Sequence, residues 1–221
     1  MSLNLDNIKI KPTTKLFNNK YKYKIVIVTA LSYWFRGENI LKFDEKLKTF
    51  NTSQSTTNQS LLIQVRKEGG TGFAQDIHKY ILSMTDYIIR VEYPFLHVYT
   101  NNFLDIEKLA EIKPSQVKYV FKPEDESVLI SGTVISKRLD FKYKITLGQT
   151  HTSHDSFVEW CNSNPKVRIS KGTIGNLKRK RCYQPGHVYV KDDKTLTMIK
   201  MFIGGCINKI ENVIKIDSKN K

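Results

Sequence analysis

One short pattern occurs twice in this chain of 221 residues: YKYKI at 21–25 and FKYKI at 141–145, 120 positions apart. Each alternates polar and apolar side chains, which is the period of a half-buried strand. The first runs on into the apolar, β-branched 25–29, the character of a strand in mid-sheet. A chain that opens the same strand twice is constrained to build related units twice. The elements that follow each copy test that constraint.

After the first copy, 42–50 has the spacing of a short helix, and 51–60, NTSQSTTNQS, holds no apolar residue and reads as a solvated loop. LLIQVRK at 61–67 reads as a strand closed by the glycine-rich turn 68–72. A helix is expected over 73–84, where Phe73, Ile77, Tyr80, Ile81 and Met84 recur at helical spacing. Two alternating strands follow at 87–92 and 95–100 about a Tyr93-Pro94 turn. Asn102 caps a helix carrying Leu104, Ile106, Leu109 and Ile112; Pro114 stops it, and 117–121 is a strand. Residues 61–122 thus read βαββαβ. The second copy starts a strand at 141–145, then a helix at 156–161, strands at 166–169 and 187–191, a helix at 194–202 and a last strand within 207–216. The order is again βαββαβ, which resembles the split βαβ of ferredoxin-like domains. The expected fold class is α+β: two tandem ferredoxin-like units, antiparallel sheets with helices on one face. Residues 1–20 read as a flexible basic arm and 21–122 as the first unit. The acidic PEDE at 123–126 opens a linker, with a connecting strand at 128–136, and 137–221 form the second unit.

Charge narrows the partner. The formal net charge is +15, with 18 basic against 11 acidic residues in 1–122 and 18 against 10 in 123–221. An excess spread over the whole chain suits a long anion better than a small neutral substrate. Lys far outnumbers Arg, which favours sequence-tolerant phosphate contacts over base reading. Frequent Lys, Asn, Ile, Phe and Tyr fit an A/T-rich genome, as in many phages and other viruses. Three widely spaced cysteines, Cys161, Cys182 and Cys206, argue for a reducing compartment. No run of 18 apolar residues and no signal-peptide h-region occurs, so the expectation is a cytoplasmic or virion protein, neither secreted nor in a membrane.

The densest cationic run is KVRISKGTIGNLKRKR at 166–181, with Lys166, Arg168, Lys171, Lys178, Arg179, Lys180 and Arg181. No acid occurs between Glu159 and Asp192, and Tyr183 and His187 follow directly. Such a cluster repels itself unless an anion lies near, and a phosphate backbone is the natural one. These nine residues are the expected nucleic-acid contacts. SYWFRG at 32–37 offers a second candidate: Tyr33, Trp34, Phe35 and Arg36 as a stacking platform, against ordinary packing under the sheet. A sheet with helices on one face also leaves the other free, as in RNA-recognition modules. The basic-Gly-aromatic consensus of those modules is missing, but Tyr87, Tyr99, Tyr119, Tyr143 and Tyr189 lie on expected strands.

Catalytic signatures are weak. HTSH supplies His151 and His154, loosely resembling two-histidine phosphoesterases, but His97-Val98-Tyr99-Thr100 fails the matching motif in the first half. Two His with a distant Cys161 fall short of a zinc set. Gly69, Gly70 and Gly72 lack the Lys-Ser/Thr ending of a phosphate loop. The sequence therefore points to a non-enzymatic nucleic-acid-binding protein, DNA or RNA, largely without sequence specificity, with no cofactor and no metal. One alternative is a viral structural or assembly protein with a nucleic-acid-facing basic surface and a homo-oligomeric or viral partner. The other is a nuclease, RNA-processing or DNA-cleaving, using His151 or His154.

Overall fold

The computed structural model describes residues 8–52, 59–127, 129–136 and 140–216. The chain divides into two compact units, Met1–Glu126 and Ser127–Lys221. Together they hold two five-stranded sheets and, among the described residues, seven α-helices, a mixed α+β architecture.

The first unit runs β1 (Ile10–Thr13), β2 (Tyr23–Val28), two 3-10 turns, α1 (Phe43–Thr52), α2 (Gln59–Lys67), α3 (Gly72–Ser83), β3 (Tyr87–Glu92), β4 (Phe95–Thr100), α4 (Phe103–Ile112) and β5 (Val117–Pro123). Its sheet order is β1-β5-β2-β4-β3; β1 lies parallel to β5 and every other pair is antiparallel. The alternation predicted for these strands puts Ile25, Ile27, Leu96, Val98 and Val120 on one face. There they form a core with Phe43 and Leu47 of α1, Ile77 and Ile81 of α3, and Ile106 and Leu109 of α4. Asn102 caps α4 as expected, its side chain accepting from the Leu104 amide at 3.2 Å.

The second unit runs β6 (Thr133–Ser136), β7 (Tyr143–Leu147), α5 (Asp155–Ser163), β8 (Val167–Ile169), α6 (Lys171–Leu177), β9 (Gly186–Val190), α7 (Asp193–Ile203) and β10 (Ile207–Lys215). The order β6-β10-β7-β9-β8 repeats the first plan, with β6 parallel to β10 and the remaining pairs antiparallel. The correspondence reaches single residues. Ile25 faces Val98 and Val120; Ile145 faces Val188 and Ile210. A bulge falls at the same rung: Ile27 pairs with Val117 and Val26 with Tyr119, leaving Lys118 over, as Leu147 and Thr146 pair with Ile207 and Lys209, leaving Asn208 over. Bulges re-aim side chains, so a shared one marks a shared design.

Four expectations are corrected. Residues 61–67 are helical, within α2, rather than a strand, so the strand that opens the first unit's βαββαβ is β2, the one carrying YKYKI. The glycines after α2 explain the helix: the Gly70 amide donates to the Val65 carbonyl at 2.9 Å and Gly69 to Arg66 at 3.0 Å, with Gly69 at φ +83°, a left-handed C-terminal cap. The 1–20 arm contains β1, a sheet edge that tolerates Pro12, and Ile8 is buried in the core. The 123–136 linker contains β6, an edge strand of the second sheet. Of the polar run 51–60, residues 51–52 end α1 and 59–60 begin α2; 53–58, like 1–7, lie outside the described residues.

Ile25 and Ile145 have no solvent exposure. Ile25→Ala and Ile145→Ala should each cost about 2–5 kcal/mol. Calorimetry should show each lowering the transition of its own unit only; a fall of both transitions in either variant would contradict two separate cores.

Candidate nucleic-acid interface

The basic segment is built by α6 and the turn behind it. Two glycines make this a poor helix, but the Ser170 hydroxyl caps it, accepting from the Thr173 amide at 3.1 Å, and Leu177 is fully buried. Gly186 sits at φ +124°, where a Cβ would come 2.4 Å from the Thr173 hydroxyl, so glycine lets β9 start against α6. Lys178 ends the helix, and two hydrogen bonds between Thr150 and Cys182, at 2.8 and 3.1 Å, tie down the far side of the turn. Lys171, Lys178, Arg179, Lys180 and Arg181 are all exposed, and Tyr183 is 76% exposed. Lys166 does not join them. Its ammonium pairs with Asp192 at 2.8 Å, and Asp192 also caps α7 by accepting from the Thr195 amide at 2.8 Å. The Lys166 hydrogen bond, then that from Thr195, holds the Asp192 carboxyl well below its usual range. Arg168 stands apart from the turn, on the strand face opposite Tyr189, with His187 on the same face.

The 32–37 platform dissolves on inspection. Phe35 is 1% exposed in the core, and Trp34 packs edge-on against Phe43 and Phe50. Tyr33 alone of the three aromatics is exposed, stacked on Tyr93 with centroids 5.4 Å apart; Arg36 is exposed beside it. Aromatic burial next to a sheet outweighed any stacking role there.

The expected tyrosines divide by face. Tyr87 and Tyr143 pack against the cores. Tyr99, Tyr119 and Tyr189 lie on the faces opposite those cores, because Lys24 pairs with Tyr99, Val26 with Tyr119, and Lys144 with Tyr189; Tyr99 is buried there, at 6% exposure. On the first sheet this face is aromatic and basic. Phe95, His97 and Tyr99 alternate along β4, and Tyr119 and Phe121 along β5. Lysine ammoniums lie over their rings: Lys11 over Tyr119 at 3.9 Å, Lys118 over Phe95 at 3.8 Å, Lys24 over Tyr99 at 5.3 Å. Phe17 covers part of it, 5.4 Å from Tyr99 and 5.5 Å from Phe121.

His97 is the least satisfied group on that face. It is 5% exposed, and neither ring nitrogen has a hydrogen-bond partner; the nearest carboxylate, Glu92, is 3.6 Å away and paired with Arg90. Burial above all, then Lys24, pushes its pKa down to about 4. The imidazole is therefore neutral at physiological pH and costs stability by its unmet hydrogen bonds.

The open face of the second sheet carries Lys144, Thr146, Arg168, His187, Tyr189, Lys209 and Glu211, with Glu211 held by Lys209 at 2.6 Å. Arg168, His187 and Tyr189 line a cleft of about 690 Å³ floored by Ser170, Thr173 and Asn176. The sequence signal for these faces was available: His-Val-Tyr occurs at 97–99 and again at 187–189.

No protein-family model, curated protein or solved structure matches the chain. Among the described residues no helix is long and apolar enough to cross a membrane, and no three His, Cys, Asp or Glu side chains gather where they could hold a metal ion. His151 is exposed, while His154 sits 3.5 Å from Cys206 rather than from Cys161, which is buried in the core with its thiol pushed up to about 12 by that burial.

His97 gives a pH test. Its folded pKa lies below the unfolded value of about 6.5, so the unfolded chain takes the proton first on acidification. Stability from this group is complete above about pH 6.5 and lost as pH falls toward about 4. The charges facing it are Lys24, Arg90, Glu92 and Lys118. His97→Phe should flatten the fall in melting temperature of the first unit between these values; an unchanged slope would contradict the buried neutral imidazole.

Proposed function

We propose that the protein is a non-enzymatic nucleic-acid-binding protein that grips the phosphate backbone largely without sequence preference. We read each unit as a ferredoxin-like split βαβ domain extended by one parallel edge strand. The strand order supports the fold reading: without β1 and β6, each sheet runs fourth-first-third-second and is antiparallel throughout.

The observation that carries the functional reading is the turn after α6. Lys178, Arg179, Lys180 and Arg181 are exposed in succession, Lys171 is exposed one helix earlier, and among the described residues no acid forms an ion pair with any of them. Held at both ends, the turn keeps these charges together despite their repulsion. Exposed cations pack against nothing and stabilise a fold little, whereas each phosphate they neutralise releases counterions and adds affinity. Tyr183, exposed beside them, offers a ring to the same ligand.

Replacing 178–181 by alanine should weaken binding to unrelated DNA and RNA sequences about equally and reduce the slope of log affinity against log salt by roughly two to four units. Thermal stability should barely change. Lys166→Ala, whose ammonium is already paired with Asp192, should change the slope less. Equal slopes in the wild type and the four-residue variant would leave the turn as a solvated surface.

A further inference from the structure

We infer that the open faces of both sheets bind unpaired bases of a single-stranded nucleic acid, through a Lys-Tyr-His set that the chain carries twice. The inference deepens the nucleic-acid reading above and rests on it.

The set occupies equivalent places. Lys24 pairs with Tyr99 and Lys144 with Tyr189; one pleat further, Val26 pairs with His97 and Thr146 with His187. A basic residue also stands on the neighbouring edge strand in each sheet, Arg90 opposite His97 and Arg168 opposite Tyr189. The repeated core residues need no function to explain them, since two sheets of one plan must each fill a helix-facing interior. Lys, Tyr and His face away from the helices. On the first sheet packing still bears on them, since His97 and Tyr99 are buried, but on the second it does not: His187 is exposed and Tyr189 half-buried at the wall of a cleft.

The chemistry fits a base with its phosphate. A tyrosine ring presents a flat stacking surface, and every base has a π-face, so such a site tolerates any sequence. Lys11 lies over Tyr119 and Lys118 over Phe95, where a stacked base would sit, while Tyr99 is 6% exposed beneath Lys24 and Phe17. Surface cation–π contacts are weak, so a base can displace the ammonium, which then reaches the adjoining phosphate. His97, nine-tenths buried with both ring nitrogens unpartnered, has one donor and one acceptor unmet, either of which a base edge can take up once the ring is uncovered. Duplex nucleic acid cannot use these features, because its base faces are already stacked inside the helix; hence the commitment to single strands.

The test compares a fluorescent oligothymidylate, an abasic strand with the same number of phosphates, and a duplex of equal length, at one salt concentration with the full chain. The expected result is at least tenfold tighter binding of the base-containing strand than of the other two, on the scale of stacking one base or more. Tyr189→Phe should keep that preference. Tyr189→Ala and His187→Ala should lose about tenfold toward oligothymidylate and little toward the abasic strand, leaving the salt slope intact. Since His187 is exposed, its variant stays informative should Tyr189→Ala fail to fold. Equal binding of all three probes, or preference for the duplex, overturns this inference and leaves the phosphate reading standing. Binding of none overturns both.

Discussion

Strand register is the constraint on which everything else in this molecule depends. Side chains along a strand alternate between faces, so fixing Ile25 against Val98 and Val120 toward the helices sends Lys24, His97, Tyr99 and Tyr119 to the other side. A slip of one residue would bury Lys24 and expose Ile25, a cost the core cannot meet. The same lock acts in the second unit through Ile145, Val188 and Ile210. The hydrophobic core thereby decides the composition of a surface it never touches. The shared bulge adds to this, turning Lys118 out of the ladder and over the Phe95 ring.

The proposed function involves two kinds of contact with nucleic acid, and they scale differently. In that proposal the turn at 178–181 acts through charge, so its contribution falls steeply with salt. The inferred sheet-face contacts act through flat rings and desolvated groups, whose contribution persists when salt is raised. Lysine predominates over arginine on the sheet faces, giving point charges without the bidentate fork that reads guanine, while the turn at 178–181 holds two of each. Three acids on or beside these surfaces are paired: Glu92 with Arg90, Glu211 with Lys209, and Asp192 with Lys166.

How much of this the sequence disclosed depended on how local the cause was. Strands β3 and β4 could be read to the residue because period-two alternation and the Tyr93-Pro94 turn are local signals, and Asn102 announced its own helix. LLIQVRK misled because a short apolar run does not distinguish strand from helix by periodicity, and the deciding cap lay in Gly69 and Gly70 beyond it. The edge strand β1 stayed hidden and β6 was expected only as a connecting strand: IKPT and TVIS owe their places in the sheets to β5 and β10, more than 75 residues away. Counting cations found the exposed turn but could not see that Asp192 claims Lys166. The free faces and their tyrosines were legible from the strand pattern, but their pairing was not, since the His-Val-Tyr repeat at 97–99 and 187–189 acquires meaning only through register.

Nuclear magnetic resonance titration of the isotopically labelled chain with a short single-stranded oligonucleotide tests the central claim most directly, since it reads the faces one residue at a time. The account predicts saturable shifts of the ring signals of Tyr99, Tyr119, Tyr189, His97 and His187, together with the amides of 178–181, while Tyr87 and Tyr143 on the core side stay still. Shifts confined to the helix-covered side, or open-face rings that do not respond while the oligonucleotide is bound, would contradict it.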